Sequence, residues 1–577
     1  MDGSSWCNLA ISLVSSPRVL SLRELAGASA CRTRLSMPTR ITNRNAARPD
    51  PLPPLPCQLP YDTSTGEWTR ETSSAARNCI LRNLERDFSW WRERPTCTTR
   101  LPDVDATLCR LRSQGPRAVL TNMMLLRSVN GRLSAKILLD PGDERGPMRH
   151  WPGRPVAALQ QLAAVQQRID DGLLPPLPNF TAILNPHDQP QQYARMDWCG
   201  MVPILSNSRV SMEHRDLMMP DFSFAPFSYL TNMIDANASS ALAVPRGWPQ
   251  EREAIYRAGR REPYSGKQRS LFWRGGQTHE QRRVYSNAIV ERTVRLPAGV
   301  AADVKLCGSH CSLEDGLPPE AWCGHKQLLS LPGHSFAVGF KYTLLCSSLV
   351  VRGAHAGVCP ASQCPRVFEQ FWHAGLKDEE HFVSSRDVKD LSNAVQRADV
   401  HPQAALIATR SADYAYSVLD PDFISEYWHA LLSGYAKSFD WSDPRQSSSA
   451  QMCAQPHRKH PTNNAERVCF RGGHGGCQLK LLGAASDDGF VPIPSMREMT
   501  EHCNSTTNMR DLYRSFARVL PLRFTGIHNG TVSETARAAL QAWMQGPSRP
   551  VWSERRPPDG QTPLKRDGTP RKKGIKS

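Results

Sequence analysis

Asp188 lies in the run Asn185-Pro186-His187-Asp188-Gln189-Pro190, directly after the apolar stretch Phe180-Thr181-Ala182-Ile183-Leu184. The apolar stretch reads as a strand, and prolines at 186 and 190 stop it and stiffen the loop. A carboxylate at the carboxyl end of a strand sits where α/β sheets place ligands, and one such group suffices as a general base for a hydroxyl. A turn aspartate would give the same local pattern. A second segment, Ser270-Leu271-Phe272-Trp273-Arg274-Gly275-Gly276, reads as a strand closing on two glycines. Thr278-His279-Glu280-Gln281 follows with capping-box spacing, Thr278 as N-cap, and opens a helix through about Arg292. Free N–H groups and a positive dipole end would meet there, a natural seat for a diphosphate. It is not a Walker loop, and no G-x-G-x-x-G is present. The third segment completes a βαβ unit. Gln327 to Leu331 reads as a strand, Pro332-Gly333-His334 as a turn, and Ser335 as the cap of a helix from Phe336 to about Ser347. Leu349-Val350-Val351 returns as a buried strand ending in Arg352-Gly353. Gly333, His334 and Ser335 would form a second anion seat, although His334 reads equally well as a turn residue.

These segments need elements to hold them. From about 75 to 440 apolar strand-like runs alternate with amphipathic helical stretches, the pattern of α/β architecture. Helical periodicity covers roughly 386–397, 402–419 and 421–438. In the last, Phe423, Tyr427, Trp428, Leu431 and Tyr435 share a face, which reads as core packing. Residues 1–60 end in the proline cluster ARPDPLPPLPCQLP, a semi-rigid linker, and a second linker, SDPRQSSSAQ, follows Trp441. No internal repeat of fixed period occurs.

Composition narrows the class. Of 577 residues, 40% are hydrophobic and 22% charged, enough to bury a sizeable core and too much apolar content for a wholly disordered chain. No run of 18 apolar residues exists, which excludes a multi-span helical membrane protein. The net charge is +17, but segments 1–60 and 546–577 carry +4 and +6 of it, so the excess over the remainder is mild. Solvated tails account for this better than nucleic-acid recognition does. The 17 cysteines and the sequons at Asn179, Asn237, Asn504 and Asn529 fit an oxidising compartment, while the Arg- and Ser-rich first 48 residues resemble an organellar transit peptide. Cys453, His457, His460, Cys469, His474 and Cys477 could hold zinc in a small module before the basic tail, although their spacing fits no tight finger pattern.

The segments, in this order, resemble glycosyltransferase family 90, which holds the protein O-glucosyl- and O-xylosyltransferases and capsule-associated transferases. The likeness is carried by Asn185 to Pro190, by Val202-Pro203-Ile204-Leu205-Ser206, and by His214-Arg215-Asp216-Leu217-Met218-Met219-Pro220-Asp221-Phe222-Ser223-Phe224. It continues through Phe272-Trp273-Arg274-Gly275, the Cys323 to Leu349 run with Phe340-Lys341-Tyr342, and Tyr427-Trp428. The resemblance covers about 150–440. It implies a GT-B-like α/β enzyme, two Rossmann-like lobes with a cleft between them. It also implies inverting transfer from a UDP-sugar, glucose or xylose, to a hydroxyl on a protein or polysaccharide. No obligatory metal, no other cofactor and no nucleic-acid partner are expected.

Asp188 matches the family's catalytic base. Arg274, Gly275, Gly276, Thr278, Gly333, His334, Ser335, Phe336 and Lys341 fall on the nucleotide-sugar side, and His187, Asp216, Pro220 and Asp221 on the acceptor side. A Cys323–Cys346 disulfide and a place in the endoplasmic reticulum or Golgi lumen are also implied, with any membrane attachment coming from a segment not visible in this sequence. The expected layout is a disordered N-terminal segment (1–60), an acceptor-side lobe (61–255), a nucleotide-sugar lobe (256–440), a Cys/His-containing extension (441–545) and a basic disordered tail (546–577). Two departures stand out: Gly339 and Gln277 occupy positions where the O-glucosyltransferase branch carries arginine. They keep two alternatives open, an inactive relative acting as a binding protein and, further off, a zinc- or nucleic-acid-binding protein.

Overall fold

In this computed structural model the described residues are 57–60, 68–93, 103–113, 120–139, 153–194, 201–210, 213–226, 247–307, 317–353, 368–441, 489–497, 499 and 517–519. The six cysteines and histidines of the candidate zinc module lie outside them, as do the linker after Trp441 and most of both terminal segments. Among the described residues the chain is mixed α/β, with two sheets.

Sheet one has the order β11-β2-β1-β3-β4-β5, with β12 also on β2. Its strands are β1 (Met124–Val129), β2 (Arg132–Leu139), β3 (Phe180–Asn185), β4 (Ile204–Ser206), β5 (Leu217–Met218), β11 (Val491–Pro492) and β12 (Ala517–Val519). β1 runs antiparallel to β2 and to β3, whereas β3, β4 and β5 run parallel. β11 and β12 belong to the segment read as an extension, yet they pair with β2, and Phe490, Val491, Ile493 and Met499 are buried.

Sheet two is five-stranded and wholly parallel, in the order β10-β9-β8-β6-β7. It contains β6 (Gln268–Gly276), β7 (Ala301–Cys307), β8 (His325–Ser330), β9 (Leu349–Gly353) and β10 (Val383–Ser385). Successive residues on its strands enter opposite cores. Phe272, Leu328 and Val350 face a core shared with sheet one, while Leu271, Trp273, Leu329, Leu349 and Val351 face helices on the other side. Burial on both faces explains why these strands read as unbroken apolar runs.

Among the described residues the helices are α1 (Arg70–Arg92), α2 (Val104–Ser113), α3 (Gly153–Asp170), α4 (Trp248–Arg261), α5 (Glu280–Val290), α6 (Pro319–Trp322), α7 (Phe340–Leu345), α8 (Leu391–Val400), α9 (Ala404–Val418) and α10 (Pro421–Lys437). The aromatic face of α10 is core, as its periodicity indicates, with Phe423, Tyr427, Trp428, Leu431 and Tyr435 all at most 2% exposed. Its polar tips also tie it to α3 and to sheet one. Trp428 Nε1 donates to Gln161 Oε1 (2.8 Å), Tyr427 Oη to the Met218 carbonyl (2.8 Å) and Tyr435 Oη to the Thr181 carbonyl (3.3 Å).

Two expected caps move. His279, not Thr278, is the N-cap of α5, its Nδ1 accepting from Gln281 N at 3.3 Å. Ser335 is not the cap of α7, which begins only at Phe340 behind Gly339 and spans six residues. The preceding turn is held by Gly333 N donating to the Phe336 carbonyl (3.3 Å), which keeps 334–336 out of helical register. Cys323 and Cys346 form a disulfide across 23 residues, joining the ends of α6 and α7, and a second disulfide links Cys57 to Cys79.

Candidate active site

Sheet two is wound from its middle. The chain goes from β6 outward to β7, then returns to the other side of β6 as β8 and continues to β9 and β10. The reversal opens a crevice beyond the carboxyl ends of β6 and β8, where parallel α/β sheets bind ligands. A cleft of about 400 Å³ lies there. Arg274, Thr278 and Arg282 reach it from the β6 side and Ser330, Gly333, His334 and Phe336 from the β8 side. Phe272, Trp322 and Tyr342, in successive ring contact, form an aromatic wall, and Asp188 and Arg154 close the cleft from sheet one.

Asp188 is positioned by its neighbours in the loop after β3. Asn185 Nδ2 donates to the Gln189 carbonyl (2.8 Å) and Ser206 Oγ (3.0 Å), while His187 N donates to Asn185 Oδ1 (3.1 Å). Asn207 Nδ2 donates to the Pro186 carbonyl (3.0 Å), and Gln189 Nε2 crosses to the His334 carbonyl (2.6 Å). Asp188 Oδ1 pairs with Arg154 Nη1 at 2.9 Å; its Oδ2 has no hydrogen-bond partner among the described residues. Arg154, near the start of α3, is 8% exposed and lies 4.4 Å over the Phe222 ring.

Arg282 is the cation most available to a ligand. Its Nε, Nη1 and Nη2 donate to the carbonyls of Pro332 (3.0 Å), Gly276 (3.1 Å) and Leu331 (3.2 Å), and it has no carboxylate ion pair among the described residues. Burial pushes its pKa down to about 10 against the opposing pull of Asp188. Such a half-buried cation, cradled by backbone dipoles at the N-terminus of an 11-residue helix, favours an anion in the cleft. Nearby His279 is held below its ordinary pKa by burial first, then by His334 and Arg282.

The sequence-predicted residues divide. Asp188, Arg274, Thr278, Gly333, His334 and Phe336 line one cleft. The guanidinium of Arg274 is committed to Asp303, at 2.6 Å to Oδ1 and 2.8 Å to its carbonyl, so it braces the wall. Gly275 and Gly276 are strand residues paired with Leu306 and Cys307, which occupies backbone groups read as free donors. Gly275 is required by packing, since a Cβ there would lie 2.3 Å from the Trp273 ring. Ser335 is 1% exposed and lies off the cleft.

Lys341 does not reach the cleft either. It is 1% exposed, donates to Ser223 Oγ and the Val338 carbonyl (3.3 Å), and lies within 4.5–5.1 Å of the Phe224, Trp248 and Tyr342 rings. On the acceptor side, Asp216 is fully buried and accepts from Gln191 N (2.8 Å), Gln192 N (2.7 Å) and Ser206 Oγ (2.6 Å). Asp221 caps a 3-10 turn and accepts from Gln370 Nε2 (2.5 Å). Pro220 is buried, and His187 Nε2 donates to the Thr121 carbonyl (2.8 Å). These four brace the Asp188 loop and its surroundings. Gly339 lines the cleft with only the Trp322 ring near its missing side chain, at 3.9 Å, whereas Gln277 is exposed beside it.

Sequence reading missed Arg154 and Arg282. The second did carry a signal, because a cation in the first turn of a helix opposes the dipole unless an anion is expected there. Arg154 had none, being 34 residues from its partner.

The family model for glycosyl transferase family 90 matches residues 163–474, more than half of the chain and all the cleft-lining residues except Arg154. The chain belongs to glycosyl transferase family 90. It is similar to protein O-glucosyltransferase 1 of Rattus norvegicus, Homo sapiens and Bos taurus, each 24% identical over 289 residues. The alignment covers 48% of this chain and 67% of each relative. The family match and these relatives make the chain a glycosyltransferase, and its cleft sets a strand-end carboxylate across from a half-buried cation.

Proposed function

We propose that this enzyme transfers a sugar, glucose or xylose, from a UDP-sugar to a hydroxyl on a protein, with inversion at the anomeric carbon. The observation that carries the reading is Arg282, a half-buried cation whose hydrogen bonds among the described residues go to backbone carbonyls, set across the cleft from Asp188. In the proposed step the acceptor oxygen attacks the anomeric carbon as the bond to the diphosphate breaks. Asp188 takes the acceptor proton, and the charge left on UDP is met by Arg282 and the first N–H groups of α5. With these protein donors meeting the charge, the proposed step calls for no obligatory metal. The aromatic wall of Phe272, Trp322 and Tyr342 offers apolar surface to the base and sugar. In a GT-B reading, sheet one is the acceptor-side lobe and sheet two the nucleotide lobe. Disulfides such as Cys57–Cys79 and Cys323–Cys346 suit an oxidising lumen such as that of the endoplasmic reticulum or Golgi.

A screen of UDP-sugars with thermal shift and product detection tests the proposal. UDP at 100 times its dissociation constant should add about 2.7 kcal/mol of stability. No shift with UDP, GDP or any UDP-sugar, and no transfer, would favour a protein that binds acceptor without turning it over. Gly339 in the cleft wall and exposed Gln277 next to Thr278 stand where the O-glucosyltransferase branch carries arginine, and they give that second outcome its physical basis.

A further inference from the structure

We propose that Asn179 carries an N-linked oligosaccharide, attached before β3 enters its sheet. Asn179-Phe180-Thr181 is an acceptor sequon. Asn179 is exposed in the turn before β3, and its Oδ1 accepts from the backbone N–H of Asn130 at 2.9 Å. A backbone N–H can only donate, so the amide oxygen is the atom held inward and Nδ2 is the one left to carry a substituent. Asn130 and Gly131 form the tip of the β1–β2 hairpin, with φ of 51° and 75°, and this tight turn brings the Asn130 N–H to Asn179. A glycan on Nδ2 therefore leaves the fold as it stands.

The other half of the sequon is sealed. Phe180 and Thr181 are 0% and 1% exposed, Thr181 pairs with Arg127 on β1, and its carbonyl accepts from Tyr435 on α10. A transferase must bind the threonine hydroxyl and the asparagine together, and the folded chain does not offer that hydroxyl. Modification thus precedes sheet closure. The donor is an oligosaccharide on a lipid pyrophosphate. Its C1–O bond to pyrophosphate breaks, a C1–Nδ2 bond forms, and one amide proton leaves to a base of the transferase. β3 separates Asn179 from Asp188 by roughly 20 Å at about 3.3 Å per residue, so the glycan stands clear of the cleft.

The test is the full chain expressed behind a cleavable secretion leader. It is then treated with peptide N-glycosidase in heavy-oxygen water and mapped by mass spectrometry. Most molecules should show labelled aspartate at 179. Thr181→Ser should keep the label, and Thr181→Ala should abolish it while leaving Asn179 and its Asn130 bond in place. Asn179→Gln should run faster on a gel by one glycan, with transfer activity within about twofold of wild type. An unlabelled peptide 179 in the secreted wild-type chain overturns the proposal, most directly when Asn237, Asn504 or Asn529 is labelled in the same sample. For the timing, purified oligosaccharyltransferase with its lipid-linked donor should modify the reduced, unfolded chain and spare the folded one. Equal modification of both would overturn that part.

Discussion

Asp188 and Arg282 occupy opposite walls of one cleft, and their proposed roles separate in the two halves of a kinetic measurement. Asp188→Asn keeps the shape and one acceptor oxygen but removes the proton acceptor. We expect kcat to fall about 10²–10⁴-fold, the usual weight of a general base, with UDP affinity little changed. Arg282→Gln should act the other way, weakening UDP by about 10- to 100-fold, as expected for lost hydrogen bonds to a charged group. Calorimetry with UDP and steady-state rates on the same preparations check both. A folded Asp188→Asn variant with wild-type transfer would remove Asp188 from the chemistry. Arg154 fixes one oxygen of that carboxylate at 2.9 Å. Arg154→Gln should therefore lower kcat without weakening UDP, and Arg154→Lys should restore part of the rate.

At the scale of elements, α4 crosses the end of α7 at a glycine. A Cβ on Gly259 would lie 2.5 Å from the Cys346 carbonyl carbon and 2.6 Å from its oxygen. Cys346 cannot give way easily, because it is bonded to Cys323 and its carbonyl accepts from Lys267 Nζ at 2.6 Å. Glycine to alanine inside a helix ordinarily stabilises by up to about 1 kcal/mol. Here the overpacking term wins, and Gly259→Ala should cost about 1–3 kcal/mol in denaturant unfolding. The disulfide beside it closes a loop of 23 residues, and replacing both cysteines with alanine should cost roughly 3 kcal/mol. Freely alkylated Cys323 and Cys346 in native protein would contradict the bridge.

Across the whole molecule, the helices over sheet two bury histidines that folding keeps neutral. His381 is 0% exposed, accepts from Lys377 N at Nδ1 (3.2 Å), and is pushed down by burial to about 4 from an ordinary 6.5. The unfolded chain binds this proton near pH 6.5 and the folded one only near pH 4. Stability is therefore fully present above pH 6.5 and declines as pH falls through that window, by roughly 3 kcal/mol for this group. His373 is also held well below the ordinary value, by burial and then by Arg352, and it adds to the slope. His381→Asn keeps an acceptor for Lys377 N and should remove one proton's share of the slope between pH 4 and 6.5 in urea titrations. An unchanged slope would mean that His381 charges in the native state.

Local chemistry made several parts legible in the chain itself. Apolar runs bounded by proline and glycine marked β3, β6, β8 and β9, since strands buried on both faces need continuous hydrophobic residues. The loop 185–190 put Asp188 at a strand end because its prolines and Asn185 act within a few residues. The family resemblance supplied the Cys323–Cys346 pairing, which two cysteines 23 residues apart do not specify alone. Other features depended on distance in space. Lys341, Asp216 and Asp221 bear the charge of site residues, but burial assigns them to Ser223, Ser206 and Gln370, partners contributed by other segments. The order in which β6, β7 and β8 line up decides where the cleft opens, and backbone pairing between strands decides it without any local sequence mark. Arg154 belongs to the site only because α3 lies beside the loop after β3, a contact that exists in the packed molecule and nowhere in the order of its residues.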